Sequence, residues 1–420
     1  MSTHSQLSLA KKASRQLVLL PTKKKNQILK DIALALKKST AEILSENKKD
    51  LDSSSKPAAF LDRLKLTPER IQMLAQSVLT VIKLADPVGV ILEQRQLKNK
   101  INLKRVRVPF GVIGAIFEAR PNVVVDIAVL AFKSGNATVL KGSQEAKYSN
   151  QALVAVIRKV LKKYKLEEVI QLLPATHQAA EELLKARGMV DVVIPRGGKT
   201  LIDFVVKNAQ VPVIETGASV VHLFIDEFAD LKKAVAIAVN SKVSRPSVCN
   251  ALDVLLVHTK IVGKFIPLLV EGLLQSAQKK GHSIVELRAS LGSSNELLKN
   301  YPAFKKVSAV DFDTEFLDYI LVIKVVKSLD EALEHIYQHS LKHTESIVTN
   351  NKKNALRFTT EVDAANIFVN ASTRFSDGGV YGLGAEVGIS TQKLHARGPF
   401  ALEALTTYKW IGEGDGQVRE

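Results

Sequence analysis

Cysteine is almost missing from this chain: its 420 residues include one, Cys249. A single thiol can neither close an internal disulfide nor build a thiolate zinc cluster, and it fits a reducing compartment. Long apolar runs are missing too. None reaches the roughly 18 uncharged residues that a membrane helix needs, and Met1 to Ala10 is polar, without an apolar signal core. A cytoplasmic protein with no membrane partner is expected. Aromatic residues make up only 5% and are not interleaved with the basic runs. That disfavours a stacking platform for single-stranded nucleic acid.

Acidic residues are outnumbered, 42 against 59 Lys and Arg, leaving a formal charge of +17. Such a balance suits nucleic acid, an anionic surface or an anionic substrate. The lysines are scattered, however. Lys23 to Lys25 is the densest run, and Lys37, Lys38, Lys48 and Lys49 follow at helical spacing. Runs of this kind are usually solvated helix faces, so no nucleic-acid partner is expected.

Three familiar motifs are also lacking. No G-x-G-x-x-G follows the first strand, which excludes a standard dinucleotide fingerprint. Pro195-Arg196-Gly197-Gly198-Lys199-Thr200 resembles a phosphate loop, but Val193 stands where that motif needs glycine. The segment still follows a strand and opens a helix. It is either an anion-holding turn, with the amides of Gly197 and Gly198 as donors, or a plain strand-to-helix turn. His335, His339 and His343 recur every four residues without H-E-x-x-H or a cysteine, so packing is expected rather than metal.

What remains is the composition of an ordinary globular protein, 46% hydrophobic and long enough for two or three domains. The first 85 or so residues read as helices. Ile28, Leu29, Ile32, Ala33 and Leu36 share one face, and Thr67-Pro68 has the form of an N-cap followed by proline. Residues 91–108 read as a hairpin turning at Lys98-Asn99-Lys100. Short strands then alternate with helices: 112–117, 137–140, 169–173 and 190–194, and later 251–257 and 319–326. This texture implies parallel sheets covered on both faces. Residues 376–398 read as a glycine-dense loop, and the tail has a β-capable piece at 408–411.

The chemistry centres on Ser241-Lys242-Val243-Ser244-Arg245-Pro246-Ser247-Val248-Cys249-Asn250. A lone cysteine is usually an inert core residue. This one falls between a helix end and a strand start, with Lys242 and Arg245 nearby. Cations favour the thiolate, and backbone amides after it could hold an oxyanion. From the residues alone, an inert thiol and a nucleophile remain open.

Four stretches together resemble the gamma-glutamyl phosphate reductase family of the aldehyde dehydrogenase superfamily. They are residues 109–122 with Phe117-Glu118-Ala119-Arg120-Pro121-Asn122, residues 134–142 ending at Lys141-Gly142, the cysteine segment, and residues 384–399 with His395-Ala396-Arg397-Gly398-Pro399. The resemblance implies an α/β, aldehyde dehydrogenase-like fold. Its parts would be a Rossmann-like dinucleotide domain (1–90 and 109–220), an α/β catalytic domain (221–390) and a β-hairpin oligomerisation element with the tail (91–108 and 398–420). It implies NADPH-dependent reduction of L-glutamyl 5-phosphate to L-glutamate 5-semialdehyde and phosphate through a cysteine thioester, in proline biosynthesis.

By the same resemblance, Cys249 is the nucleophile, and Arg120 or Asn122 completes the oxyanion hole. Lys141 and Glu315 hold the two riboses of NADPH/NADP, beside Gly197 and Gly198. Arg120, Arg245, Lys242 and Arg397 suit the carboxylate and phosphate of the substrate. No metal is implied. A homodimer or higher homo-oligomer and a transient contact with glutamate 5-kinase are implied as partners. The sequence departs from the family's usual pattern at Ser219-Val220-Val221, ahead of His222. A hydrolytic aldehyde dehydrogenase acting on another semialdehyde is the alternative.

Overall fold

The computed structural model describes residues 1–56, 58–290 and 296–419. They form two compact units. The first comprises residues 1–216, 382–388 and 394–420, and the second residues 217–381 and 389–393.

The first unit opens with five helices: α1 (Thr3–Leu17), α2 (Thr22–Lys38), α3 (Thr40–Asp52), α4 (Ala58–Leu64) and α5 (Pro68–Lys83). The expected face of α2 is the buried one, with Ile28, Leu29, Ile32, Ala33 and Leu36 all inside. Thr67 caps α5, its hydroxyl accepting from the Arg70 N–H at 3.2 Å. Not every lysine of the early run is solvated. Lys25 is 1% exposed and reaches Asp86 at 2.9 Å. A buried ammonium needs such a partner.

Strands β1 (Ile91–Gln96) and β2 (Asn102–Pro109) form the expected hairpin. Lys100 in its turn takes φ 68°, the left-handed region. The parallel sheet follows: β3 (Val112–Phe117), α6 (Asn122–Lys133), β4 (Ala137–Lys141), α7 (Lys147–Lys162), β5 (Ile170–Leu172), α8 (His177–Leu184), β6 (Val192–Arg196) and α9 (Lys199–Asn208). The strand order is β5-β4-β3-β6. The chain runs outward from β3 to β5 and returns on the other side as β6. The crevice at the carboxyl ends of β3 and β6 is therefore a topological switch point, where open α/β sheets bind ligands.

The second unit holds β7 (His222–Ile225), α10 (Leu231–Val243), β8 (Val254–His258), α11 (Val262–Lys280), β9 (Glu286–Ser290), β10 (Phe304–Lys306), β11 (Ile320–Val326), α12 (Leu329–His339), β12 (Thr344–Val348), α13 (Lys352–Glu361) and β13 (Asn366–Val369). Seven strands pair in the order β10-β9-β11-β8-β7-β12-β13, all parallel. In β8, Leu255 and Val257 join one core cluster while Val254 and Leu256 join another. Alternate side chains thus fill cores on opposite faces, which is why β8 reads as an unbroken apolar run.

The segment 376–398 is not wholly loop. It includes the short strand β14 (Gly388–Ser390), and β15 (Gly398–Phe400) starts at its end. The tail strand β16 (Thr406–Glu413) pairs antiparallel with β2 of the same chain, from Thr406 against Pro109 to Glu413 against Asn102. The hairpin and tail therefore make a three-stranded sheet within the first unit.

Candidate active site

Cys249 is partly buried in the loop that joins α10 to β8. Both ends of that loop are held. Leu252 N–H donates to the Ser241 carbonyl at 3.0 Å, and Ala251 N–H to the Val248 carbonyl at 3.0 Å. Asn250, beside the thiol, is buried. Its amide donates to the Ser376 carbonyl at 2.7 Å, and its carbonyl accepts from the Thr373 hydroxyl at 2.8 Å. Residues 372–376 thus act as a back wall for the cysteine loop.

That wall also brings in a residue sequence reasoning missed. Arg374 donates through Nε to the Ser244 hydroxyl at 3.0 Å. Burial lowers its pKa from the ordinary arginine value. Cys249 and Asp377 oppose that shift by favouring the cation, and Arg245 adds to it by repulsion. Arg374 therefore belongs to the electrostatic surroundings of the thiol, and Arg245 to those of Arg374. A guanidinium near a thiol favours its thiolate, and guanidinium groups suit a phosphoryl group. No sequence spacing announces this pairing, because Arg374 arrives from after β13.

Arg245 is exposed, as a substrate contact requires. Lys242 is different, and the expectation of a substrate-binding role for it is corrected. Its side chain is 0% exposed, and its ammonium donates to the Leu252 carbonyl at 2.7 Å. Substrate cannot displace a group sealed beneath the loop.

Glu315 lies in the segment before β11, where its carboxylate accepts from the Ser219 hydroxyl at 3.0 Å. The departure at Ser219-Val220-Val221 thus has a structural account. Ser219 orients Glu315, while Val220 and Val221 are fully buried in two core clusters.

The first unit carries the other expected residues: Arg120, Asn122, Lys141, Gly197, Gly198 and Arg397. Asn122 opens α6, and its amide donates to Asp126 at 3.1 Å. Burial pushes the Asp126 carboxyl up to about 6, against the opposing effects of Asn122 and Arg196. Arg120 stands in the turn between β3 and α6, and Arg397 is exposed. Lys141 ends β4, where burial lowers its pKa and Glu145 opposes that shift.

Three features of this unit bear on dinucleotide binding. A cavity of about 530 Å³ lies beyond the carboxyl ends of β4 and β5, lined by Gly142, Ser143, Gln144, Leu173, Pro174 and Thr176. A Cβ at Gly197 would come within 2.6 Å of the Glu118 carboxyl carbon, so the Glu118 side chain packs closely on the turn before α9. The Gly198 N–H at the start of α9 donates to the Glu118 carboxylate at 3.1 Å. The start of α9 is thus occupied by an anionic group of the chain itself, the kind of charge a helix N-terminus attracts.

In unit two, the histidines pack instead of converging on a site. His335 and His339 rings lie 4.4 Å apart, and buried His222 pairs through Nδ1 with Glu345 at 3.1 Å.

Comparison with known proteins agrees with this architecture. The aldehyde dehydrogenase family profile matches residues 2–286. A gamma-glutamyl phosphate reductase of Bacteroides fragilis is 47% identical over 423 residues, covering 100% of both chains. One of Streptococcus suis is 48% identical over 415 residues, covering 98% of this chain and 97% of the other. The crystal structure of the Thermotoga maritima gamma-glutamyl phosphate reductase superposes with a TM-score of 0.93 at 42% identity over the whole of both chains. An acetylating aldehyde dehydrogenase of Geobacillus thermoglucosidasius shares the fold, with a TM-score of 0.72 at 19% identity. The chain belongs to the aldehyde dehydrogenase family and, within it, to the gamma-glutamyl phosphate reductases.

Proposed function

We propose that the protein reduces L-glutamyl 5-phosphate to L-glutamate 5-semialdehyde, releasing phosphate, with Cys249 as the nucleophile. The observation that carries this reading is the chain's single thiol, held in a braced loop with Arg374 as its cationic neighbour and Arg245 acting on Arg374. The Cys249 thiolate attacks the acyl carbonyl. A carbon–sulfur bond forms, the carbon–oxygen bond to phosphate breaks, and phosphate leaves. Splitting acyl transfer through a thioester replaces one difficult step with two easier ones. Arg245 and Arg374 pair with the phosphoryl oxygens, and Arg120 and Arg397 are candidates for the substrate carboxylate. Asn122, its amide anchored on Asp126, or Arg120 would serve the oxyanion with the Cys249 amide.

NADPH, when bound, supplies the hydride that takes the acyl group to the aldehyde. Lys141, Gly197, Gly198 and Glu315 are the residues that would hold it. Cys249 departs again as thiolate when the aldehyde is released, so no water-activating base is required.

The exposed apolar residues of the three-stranded sheet, Ile91, Leu92, Tyr408 and Trp410, support assembly into a homodimer or larger homo-oligomer. The lability of an acyl phosphate makes a transient contact with the glutamate 5-kinase chain that produces it advantageous. Among the described residues no helix is long and apolar enough to cross a membrane.

The test of the reaction is acyl trapping. Incubation with glutamyl 5-phosphate without NADPH should add one glutamyl group to the peptide containing Cys249, read by mass spectrometry. An unmodified Cys249 under conditions that support turnover would refute the thioester route.

A further inference from the structure

Lys242 is a fully buried cation that the chemistry above does not use. It ends α10, is fully buried, and sits beneath the loop that carries Cys249. Its ammonium donates to the Leu252 carbonyl at 2.7 Å and lies 4.0 Å from the Asp253 carboxylate. The Leu252 N–H meanwhile donates to the Ser241 carbonyl at 3.0 Å. Both polar groups of residue 252 are therefore tied to two consecutive residues in the last turn of α10. Together they close the base of the loop whose middle is the thiol.

Asp253 extends the clamp. Its carboxylate accepts from the Val221 N–H at 3.2 Å, just ahead of β7, and from the Phe316 N–H at 3.4 Å. Phe316 follows Glu315. One buried ion pair thus connects the cysteine loop with the segment bearing Glu315. The charged and titratable groups facing the pair are Asp318, before β11, and His222, on β7.

We propose, resting on the thioester reading above, that Lys242 is a positioning residue: with Asp253 it fixes the Cys249 loop against the Glu315 segment, holding thiol and cofactor-side carboxylate in register. Burying an ammonium and a carboxylate costs several kcal/mol per ion, and a well-packed apolar pair often stabilises a fold as well or better. An ion pair kept here contributes a fixed geometry that two apolar side chains would not impose. Burial drives Lys242 down to about 8 and Asp253 up to about 6, against the opposing pull of each on the other.

Because Cys249 is the chain's single thiol, iodoacetamide alkylation of the substrate-free enzyme reads the loop directly. Lys242→Met should move the alkylation midpoint to higher pH by about one unit, as the thiol leaves its cationic surroundings. It should lower kcat by about ten- to a hundredfold, the scale of a misplaced reacting group. Lys242→Met/Asp253→Leu should recover the melting temperature but neither the midpoint nor kcat. Recovery of all three by the double variant, or no change in Lys242→Met, overturns the proposal. Should neither Met variant fold, Asp253→Asn should shift the midpoint and Asp253→Glu should not; an unshifted Asp253→Asn overturns it. A fully active Cys249→Ser enzyme would instead overturn the thioester reading, and the alkylation midpoints would still decide the clamp.

Discussion

Every thiol-directed reagent reports on Cys249 alone, so residue-level claims can be checked without labelling tricks. Cys249→Ser should lower turnover by at least about a hundredfold, since removing the nucleophile of a covalent mechanism costs orders of magnitude. Folding and NADPH binding should persist; retained turnover above a few per cent would contradict nucleophilic catalysis. Arg374→Gln removes a cation from the thiol's surroundings. The alkylation midpoint should rise by about one unit, and KM for the acyl phosphate should rise with it. An unchanged midpoint would remove Arg374 from the site. Cys249 and Arg245 were legible in sequence because they share one short motif. Arg374 was not, because its proximity is created by the fold. Lys242 was misread because a lysine near a cysteine says nothing about which way its side chain runs.

The elements divide by the same logic. The alternating strands and helices of the first unit were readable because each buried strand is a short apolar run ending at a turn signal. Strands β12 and β13 escaped notice. β12 carries Thr344, Glu345 and Ser346 fully buried, with Glu345 satisfied by the His222 N–H at 2.9 Å and Ser346 by the Ala371 carbonyl at 2.9 Å. Polar residues paired across the fold leave no apolar pattern to read.

This strand makes a pH prediction. His343, just before β12, is 0% exposed, and burial lowers its pKa from 6.5 to about 4. The unfolded chain therefore binds the proton more tightly. The contribution is intact above pH 6.5 and is lost as pH falls from there towards 4. From pH 7.5 to pH 5 it should cost roughly 2 kcal/mol. Urea unfolding should show that this loss is smaller by about that amount in His343→Gln. Identical pH dependence in the two proteins would show that His343 is not buried neutral.

At the scale of the whole molecule, β16 completes the three-stranded sheet by an eight-residue pairing with β2. Arg105 of β2 lies over the Tyr408 and Trp410 rings at 5.1 and 5.6 Å. Deleting residues 406–420 should lower the melting temperature and move any oligomer towards monomer in light scattering. An unchanged oligomer would exclude the tail from the interface. In reverse, the thioester route passes the acyl group from Cys249 to phosphate and not to water. Its most direct test runs the reaction backwards, following NADPH formation from glutamate 5-semialdehyde and NADP with and without inorganic phosphate. The rate should saturate with phosphate and vanish without it. Equal rates in phosphate-free buffer would contradict this route and identify a hydrolytic aldehyde dehydrogenase.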